Sequence, residues 1–298
     1  MLLPVLLGVT FIIFTLTYFT EGDPARALLG TRAPEESVNM LREEMGLNDT
    51  FAEQFVRYVK NVAHLDFGTS FATKRPVLEE VTSRFPATMQ LTAMGIIIAI
   101  CFGISLGILS ATKQYSLFDG VANIAGLMGI SIPNFWLSMM FILFFGVKLG
   151  WFPTSGFETP AQWVLPAFSI GISSTAIIMR MTRSSMLEVL RQDYIRTAKA
   201  KGQKESVIIF RHALKNALIP VLTIVGLEIG YLLGGAILTE NIFSIAGIGR
   251  FMVEAISRRD YPVIQGGVLL IAFSVSMVNL LVDVLYAFVD PRIRSQYK

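Results

Sequence analysis

Two carboxylates, Glu228 and Asp283, stand inside long apolar runs, and few other residues of this chain could do chemistry. In a membrane such a group is costly and marks an ion path, a proton relay or a polar partner. Glu228 reads either as part of a translocation pathway or as a side chain hydrogen-bonded to a neighbouring span. Asp283, one turn after Asn279, is likewise a pathway candidate, and near the cytoplasmic side it reads more as a structural partner for Arg180 or Arg183. The catalytic alternatives are thin. Both histidines, His64 and His212, lie in polar segments, so neither can serve a nucleophile inside an apolar run. The single cysteine, Cys101, excludes a disulfide framework. No His/Cys/Asp grouping has zinc spacing. The dipeptide Gly-Lys is absent, and with it the common phosphate-cradling loop. The chain is therefore expected to be no enzyme and to hold no metal or cofactor. Any work it does draws on a gradient or on another chain.

The elements that carry these residues are apolar spans. Of 298 residues, 53% are hydrophobic and 16% charged, well under the roughly one quarter usual in soluble domains. Disorder is excluded, and a net charge of +3 is too small to argue for nucleic acid. A bilayer crossing needs about 20 apolar residues. Six stretches answer: Leu2 to Phe19, Thr88 to Ala111, Gly120 to Val147, Trp163 to Met181, Ile219 to Leu238, and Val263 to Val289. The first lacks a basic leader and a small-residue cleavage site, so it reads as an anchor rather than a signal peptide. Pro133 is expected to kink the third, and Phe135 follows it as a second pathway candidate. Gly103 with Gly107, and Gly226 with Gly230 and Gly234, put small-residue ridges on two spans for close packing. Trp136, Trp151 and Trp163 are candidates for interfacial anchors.

The charges orient the spans. Residues 180–215 hold 9 Lys/Arg against three acids, whereas residues 20–87 hold 8 Lys/Arg and 11 Asp/Glu. The positive-inside rule places the former, and both termini, in the cytoplasm. The organisation expected is a first span at 1–19, an extracytoplasmic segment at 20–87, and a five-helix core at 88–298. That core includes a cytoplasmic loop at 191–216 and a second outer loop at 241–262. In the outer segment, Pro34-Glu35-Glu36 opens a helix ending at Gly46, and Phe51, Phe55, Tyr58, Val59 and Val62 give a second helical stripe. Phe251, Met252, Val253 and Ile256 suit a short helix at the membrane surface.

The 191–216 loop reads as a helix to Lys201, a turn at Gly202 and a second helix from Glu205. A solvated basic loop is the plain reading. Against it, Ile195, Val207, Ile208, Phe210 and Leu214 give an apolar face that something must cover. Ala198 and Ala200 leave a small-residue surface that a partner could approach.

This segment resembles the coupling loop of ABC importer permeases, with Arg196-Thr197-Ala198 where Glu-Ala-Ala is usual and Gly202 at the glycine position. An ordered set of motifs extends the resemblance over nearly the whole chain. It includes Gly22-Asp23-Pro24, Asp66-Phe67-Gly68-Thr69-Ser70, Pro86-Ala87-Thr88, Ser131-Ile132-Pro133-Asn134-Phe135-Trp136, Glu240-Asn241-Ile242-Phe243, Gly247-Ile248-Gly249, Asp260-Tyr261-Pro262 and Asp290-Pro291-Arg292. Together these are similar to the B-type subunit of the dipeptide/oligopeptide/nickel permease family, apart from Ala246, where proline is usual. The resemblance implies an all-α integral membrane protein with six transmembrane helices, the type I importer architecture. It implies residence in the cell membrane beside a second homologous permease, two ATPase subunits that carry ATP and Mg, and an extracytoplasmic solute-binding protein. The imported solutes implied are di- or oligopeptides, nickel chelates, glutathione or similar small molecules. Tyr194, Arg196, Thr197, Ala198, Ala200 and Gly202 are implied to couple to the ATPases. Asp66, Gly68, Phe243, Gly247, Gly249 and Asp260 are implied to meet the binding protein. A self-contained secondary transporter or channel built on Glu228 and Asp283 is the alternative. It leaves the loop's apolar face and the ordered motifs without a role.

Overall fold

The computed structural model describes residues 2–20, 22–30 and 32–289, without the side chains of residues 283 and 285–289. The described residues are mostly helical. The order is α1 (Leu2–Phe19), α2 (Pro24–Leu29), α3 (Glu35–Glu44), α4 (Phe51–Ala63), α5 (Val77–Thr112), α6 (Leu117–Ser131), α7 (Asn134–Phe141), α8 (Pro160–Leu190), α9 (Asp193–Ala200), α10 (Glu205–Val207), α11 (Leu214–Ile242), α12 (Ile248–Arg258) and α13 (Tyr261–Val289). Wider π-helical turns extend α7 over Ile142–Lys148 and join α10 to α11 over Ile208–Ala213. Five helical stretches are long and apolar enough to cross a membrane, and α6 with α7 makes a sixth if a bent pair counts as one span.

That bent pair is the main departure from the expected spans. The run from Gly120 to Val147 is not one kinked helix but two helices at 102°. Pro133 forces the residue before it out of helical geometry, and Ile132 is extended with ψ 123. Elsewhere the helices outrun the apolar windows. Arg180 does not end α8, and Pro86, Pro166 and Pro220 lie inside α5, α8 and α11 rather than at their starts. A proline inside a helix frees one carbonyl a turn earlier, which neighbouring spans can absorb.

The chain divides into two compact units, residues 1–88 with 246–276, and residues 89–245 with the chain from 277 on. In the first, α4 starts at a capping box. Thr50 N–H donates to Glu53 Oε2 at 2.9 Å, and Glu53 N–H returns to Thr50 Oγ1 at 3.4 Å. Its aromatic stripe meets α1, with Phe11 against Phe55 and Phe14 against Tyr58, both at 5.4 Å between ring centres. Burial pushes the Asp23 carboxyl up, but Arg42, 2.6 Å away, and the Ala25 and Arg26 N–H groups leave it below its ordinary value. Thr17 on α1 accepts from Gln265 on α13 at 2.6 Å.

In the second unit α8 is the centre, packed against α6, α7 and α11. Glycines set the spacing between α5 and α8. A Cβ on Gly103 would lie 2.9 Å from the Thr175 carbonyl, and one on Gly107 would lie 2.8 Å from the Met179 carbonyl. Backbone cannot yield at that distance, so the ridge serves packing within the chain. The ridge on α11 is less uniform. Gly226 is pressed by Val282 of α13, while a Cβ at Gly234 meets nothing within 4 Å.

Candidate functional site

The loop after α8 is backed by the chain itself. Ile195 and Ala198 of α9 are buried with Ile208, Ala213 and Ala217, and with Ile108 and Met186. The chain itself thus covers Ile195, Ile208 and Leu214 of the apolar face, while Val207 is half-buried and Phe210 is 61% exposed. The same packing corrects the place of Ala198, which faces inward. Tyr194, Arg196, Thr197, Ala200 and Gly202 remain exposed. Side chains then fix the turn. Gln203 Oε1 lies 2.7 Å from His212 Nε2, and Asn216 Nδ2 donates to the Tyr194 hydroxyl at 2.8 Å. Gly202 sits at φ +72, a left-handed conformation that favours glycine. The result is a short, braced helix with one face inside and one face free. A rigid protrusion of this kind can receive a push and pass it to α8 and α11.

Of the pathway candidates, Pro133 and Phe135 are exposed at the α6–α7 break. Glu228 is buried at 7% exposure and accepts from Ser174 of α8 at 2.5 Å. The Asp283 side chain and the Asp290-Pro291-Arg292 motif lie outside the described residues. Arg183, named as one of two partners for Asp283, is engaged by Asp119. Its Nε and Nη2 donate to the two Asp119 oxygens at 2.7 and 2.8 Å. Ser110, Asn123 and the Tyr115 N–H also donate to Asp119. Reading the sequence missed this cluster. The available signal was that Asp119 is the only carboxylate between residues 112 and 147.

The residues expected to meet a binding protein separate into two groups. Asp66 and Gly68 are exposed, with Gly68 N–H bonded to Asp66 Oδ1 at 2.9 Å. Phe243, Gly247, Gly249 and Asp260 are buried, so as placed they shape the chain rather than touch another. Asp260 is 2% exposed and accepts from Ser70 Oγ at 2.5 Å, Phe71 N–H at 3.0 Å and Ala72 N–H at 3.1 Å. Replacing it by alanine orphans two buried donors and a partly buried one, and is expected to cost on the order of 3 kcal/mol. Asp260→Asn, which still accepts, should fall between. Thermal unfolding of the purified variants checks the order.

The bundle, with its braced loop helix between two long spans, has the form expected of the membrane subunit of type I ABC importers. The chain belongs to the binding-protein-dependent transport system inner membrane component family, whose model matches residues 103–295, with the family's N-terminal component over 2–92. It is 45% identical to the dipeptide transport system permease protein DppB of Alkalihalophilus pseudofirmus, over 99% of this chain and 97% of that one. It is 40% identical to the glutathione transport system permease protein GsiC of Escherichia coli K12, over 98% and 96%. An inward-facing structure of the MetNI methionine ABC transporter shares the fold at TM-score 0.61 and 19% identity, covering 70% of this chain and 96% of that chain. The chain is thus a multi-pass permease subunit of an ABC importer, and it works with ATPase and substrate-binding partners.

Proposed function

We propose that this permease carries di- or oligopeptides, or solutes of related chemistry such as glutathione, into the cytoplasm. The observation that carries this reading is α9, braced from behind by its own chain and free in front, in a chain so similar to peptide and glutathione permeases. One such subunit pairs with a second homologous permease, and two ATPase subunits press on the α9 face of each half. ATP and Mg sit on those subunits, and this chain does no catalysis. Both termini lie in the cytoplasm, and the exposed part of residues 20–87, including Asp66 and Gly68, receives the binding protein. Closing of the ATPases then moves α8 and α11 and switches access from one side to the other.

A gentle detergent pull-down from the native membrane tests the assembly, and uptake of dialanine by the reconstituted complex tests the cargo. Two ATPases, a second permease and a binding protein are expected to co-purify, with uptake that stops without ATP. Recovery of this chain alone, from a preparation that preserves other complexes, overturns the assembly. Uptake that persists without ATPases supports the self-contained transporter.

A further inference from the structure

Besides the cluster around Asp119, the second unit holds a cavity of about 470 Å³ lined by Asn123, Ile177, Arg180, Arg183, Ser184 and Ile224 among others. Its position follows from the Ser174–Glu228 hydrogen bond that ties α8 to α11. Ile177 is three residues from Ser174, and Ile224 is one turn from Glu228, so the cavity begins about 5 Å along both helices from that pair. It therefore lies along spans that already carry a buried polar contact.

The two arginines in its wall differ. Arg183 is neutralised by both oxygens of Asp119. Asp119 has nothing left to offer a second cation. A carboxylate has about four acceptor sites, and it already receives Ser110, Tyr115, Asn123 and both Arg183 nitrogens. Arg180, one turn before Arg183, is exposed in the cavity wall and has no hydrogen-bond or ion-pair partner among the described residues. A guanidinium never loses its charge and matches carboxylates with a planar fork of donors. Arg180 keeps its donors free toward the cavity, so an anion that enters meets an uncompensated charge.

We infer that Arg180 is a carboxylate-binding residue on the route of the transported solute, gripping the free carboxylate of a peptide as it passes. This rests on the peptide reading above for the identity of the solute, but not for the charge preference of the cavity.

The test uses the full importer complex in nanodiscs. With Cys101→Ser removing the native thiol, Ile224→Cys places one thiol in the cavity wall. Its reaction with an anionic sulfonatoethyl thiosulfonate is compared with that of the neutral hydroxyethyl reagent. The anionic-to-neutral rate ratio is expected to fall about tenfold on adding Arg180→Gln and to hold with Arg180→Lys. An unchanged ratio overturns the assignment, because an arginine neutralised inside the protein attracts nothing. A ratio change seen in phosphatidylcholine discs but abolished by phosphatidylglycerol also overturns it, since a lipid headgroup is then the occupant. In proteoliposomes, dialanine uptake by Arg180→Gln is expected to drop about tenfold, the size of one lost charge-assisted contact, with ATP hydrolysis retained and lysine restoring part. If the unaltered complex moves no dialanine while the reagent ratio still falls, the peptide reading fails and the carboxylate site stands.

Discussion

Asp119→Ala is expected to lower stability by about 3–5 kcal/mol, the loss typical of breaking a buried ion pair. The reason is the charge left behind. Arg183 is 22% exposed by its side chain and Asp119 5%, so removing the carboxylate strands a guanidinium with little access to water. Ser110 and the Tyr115 N–H lose their acceptor in the same step, and Asn123 keeps only the Asp119 carbonyl. Arg183→Met removes the opposite partner and should cost less, because Asp119 keeps three neutral donors. The double variant Asp119→Leu/Arg183→Met separates the pair from its surroundings. Pairs of this kind are often replaceable by apolar residues of like volume at little cost. The double variant should therefore recover much of what Asp119→Ala loses, with a coupling of about 1–3 kcal/mol. Thermal unfolding of the purified subunit measures all three. Equal losses in the single and double variants would sink the account, and would mean that the cluster matters through packing alone.

The contrast between Asp119 and Asp260 shows what the sequence could and could not carry. The apolar runs set the spans, because length and composition decide what crosses a bilayer. Gly46 and Gly202 marked turns, and both adopt the positive φ that favours glycine. The 191–216 loop was legible as helix, turn, helix, because its apolar period and its breaker agree. Asp260 was read as a surface group for a partner. It is instead the hub of three hydrogen bonds to residues 189 positions or so away in the chain, as with Phe71. Nothing local announces such a link. Asp119 was passed over because a carboxylate at the start of a helix needs no explanation, and its claim on Arg183, 64 residues on, is again long-range. Pro133 announced a kink, but the 102° between α6 and α7 depends on what each half packs against. Side chains whose roles are set by neighbours in sequence were readable. Those set by a fold-level contact needed coordinates, and several of the residues that matter most here are of the second kind.

Gly202 yields the prediction with the largest functional effect. Two separate demands could keep a glycine there, and the geometry separates them. The first is conformational: at φ +72 any side chain other than a short amide is strained, by about 1–2 kcal/mol. The second is space, and within this chain it is absent, since a Cβ at Gly202 meets nothing within 4 Å. With the turn exposed, a side chain there starts in open space and reaches toward whatever another molecule brings to it. Gly202→Asn tolerates the left-handed geometry and adds modest volume. Gly202→Ala adds strain with almost no volume. Gly202→Trp adds both. All three should insert in the membrane and unfold within about 2 kcal/mol of the unaltered protein. ATP-driven uptake should stay near normal in the asparagine variant, fall partway in the alanine variant and collapse in the tryptophan variant, by on the order of 100-fold, the penalty for displacing a coupled surface by about 1 Å. ATP hydrolysis by the partner subunits should persist in the tryptophan complex, or assembly with them should fail, and either result places the damage at the turn's outer face. Normal uptake by Gly202→Trp would remove the loop from the coupling route. If alanine and tryptophan fail equally while asparagine works, backbone geometry is the cause, and the turn acts by aiming α9 rather than by touching a partner.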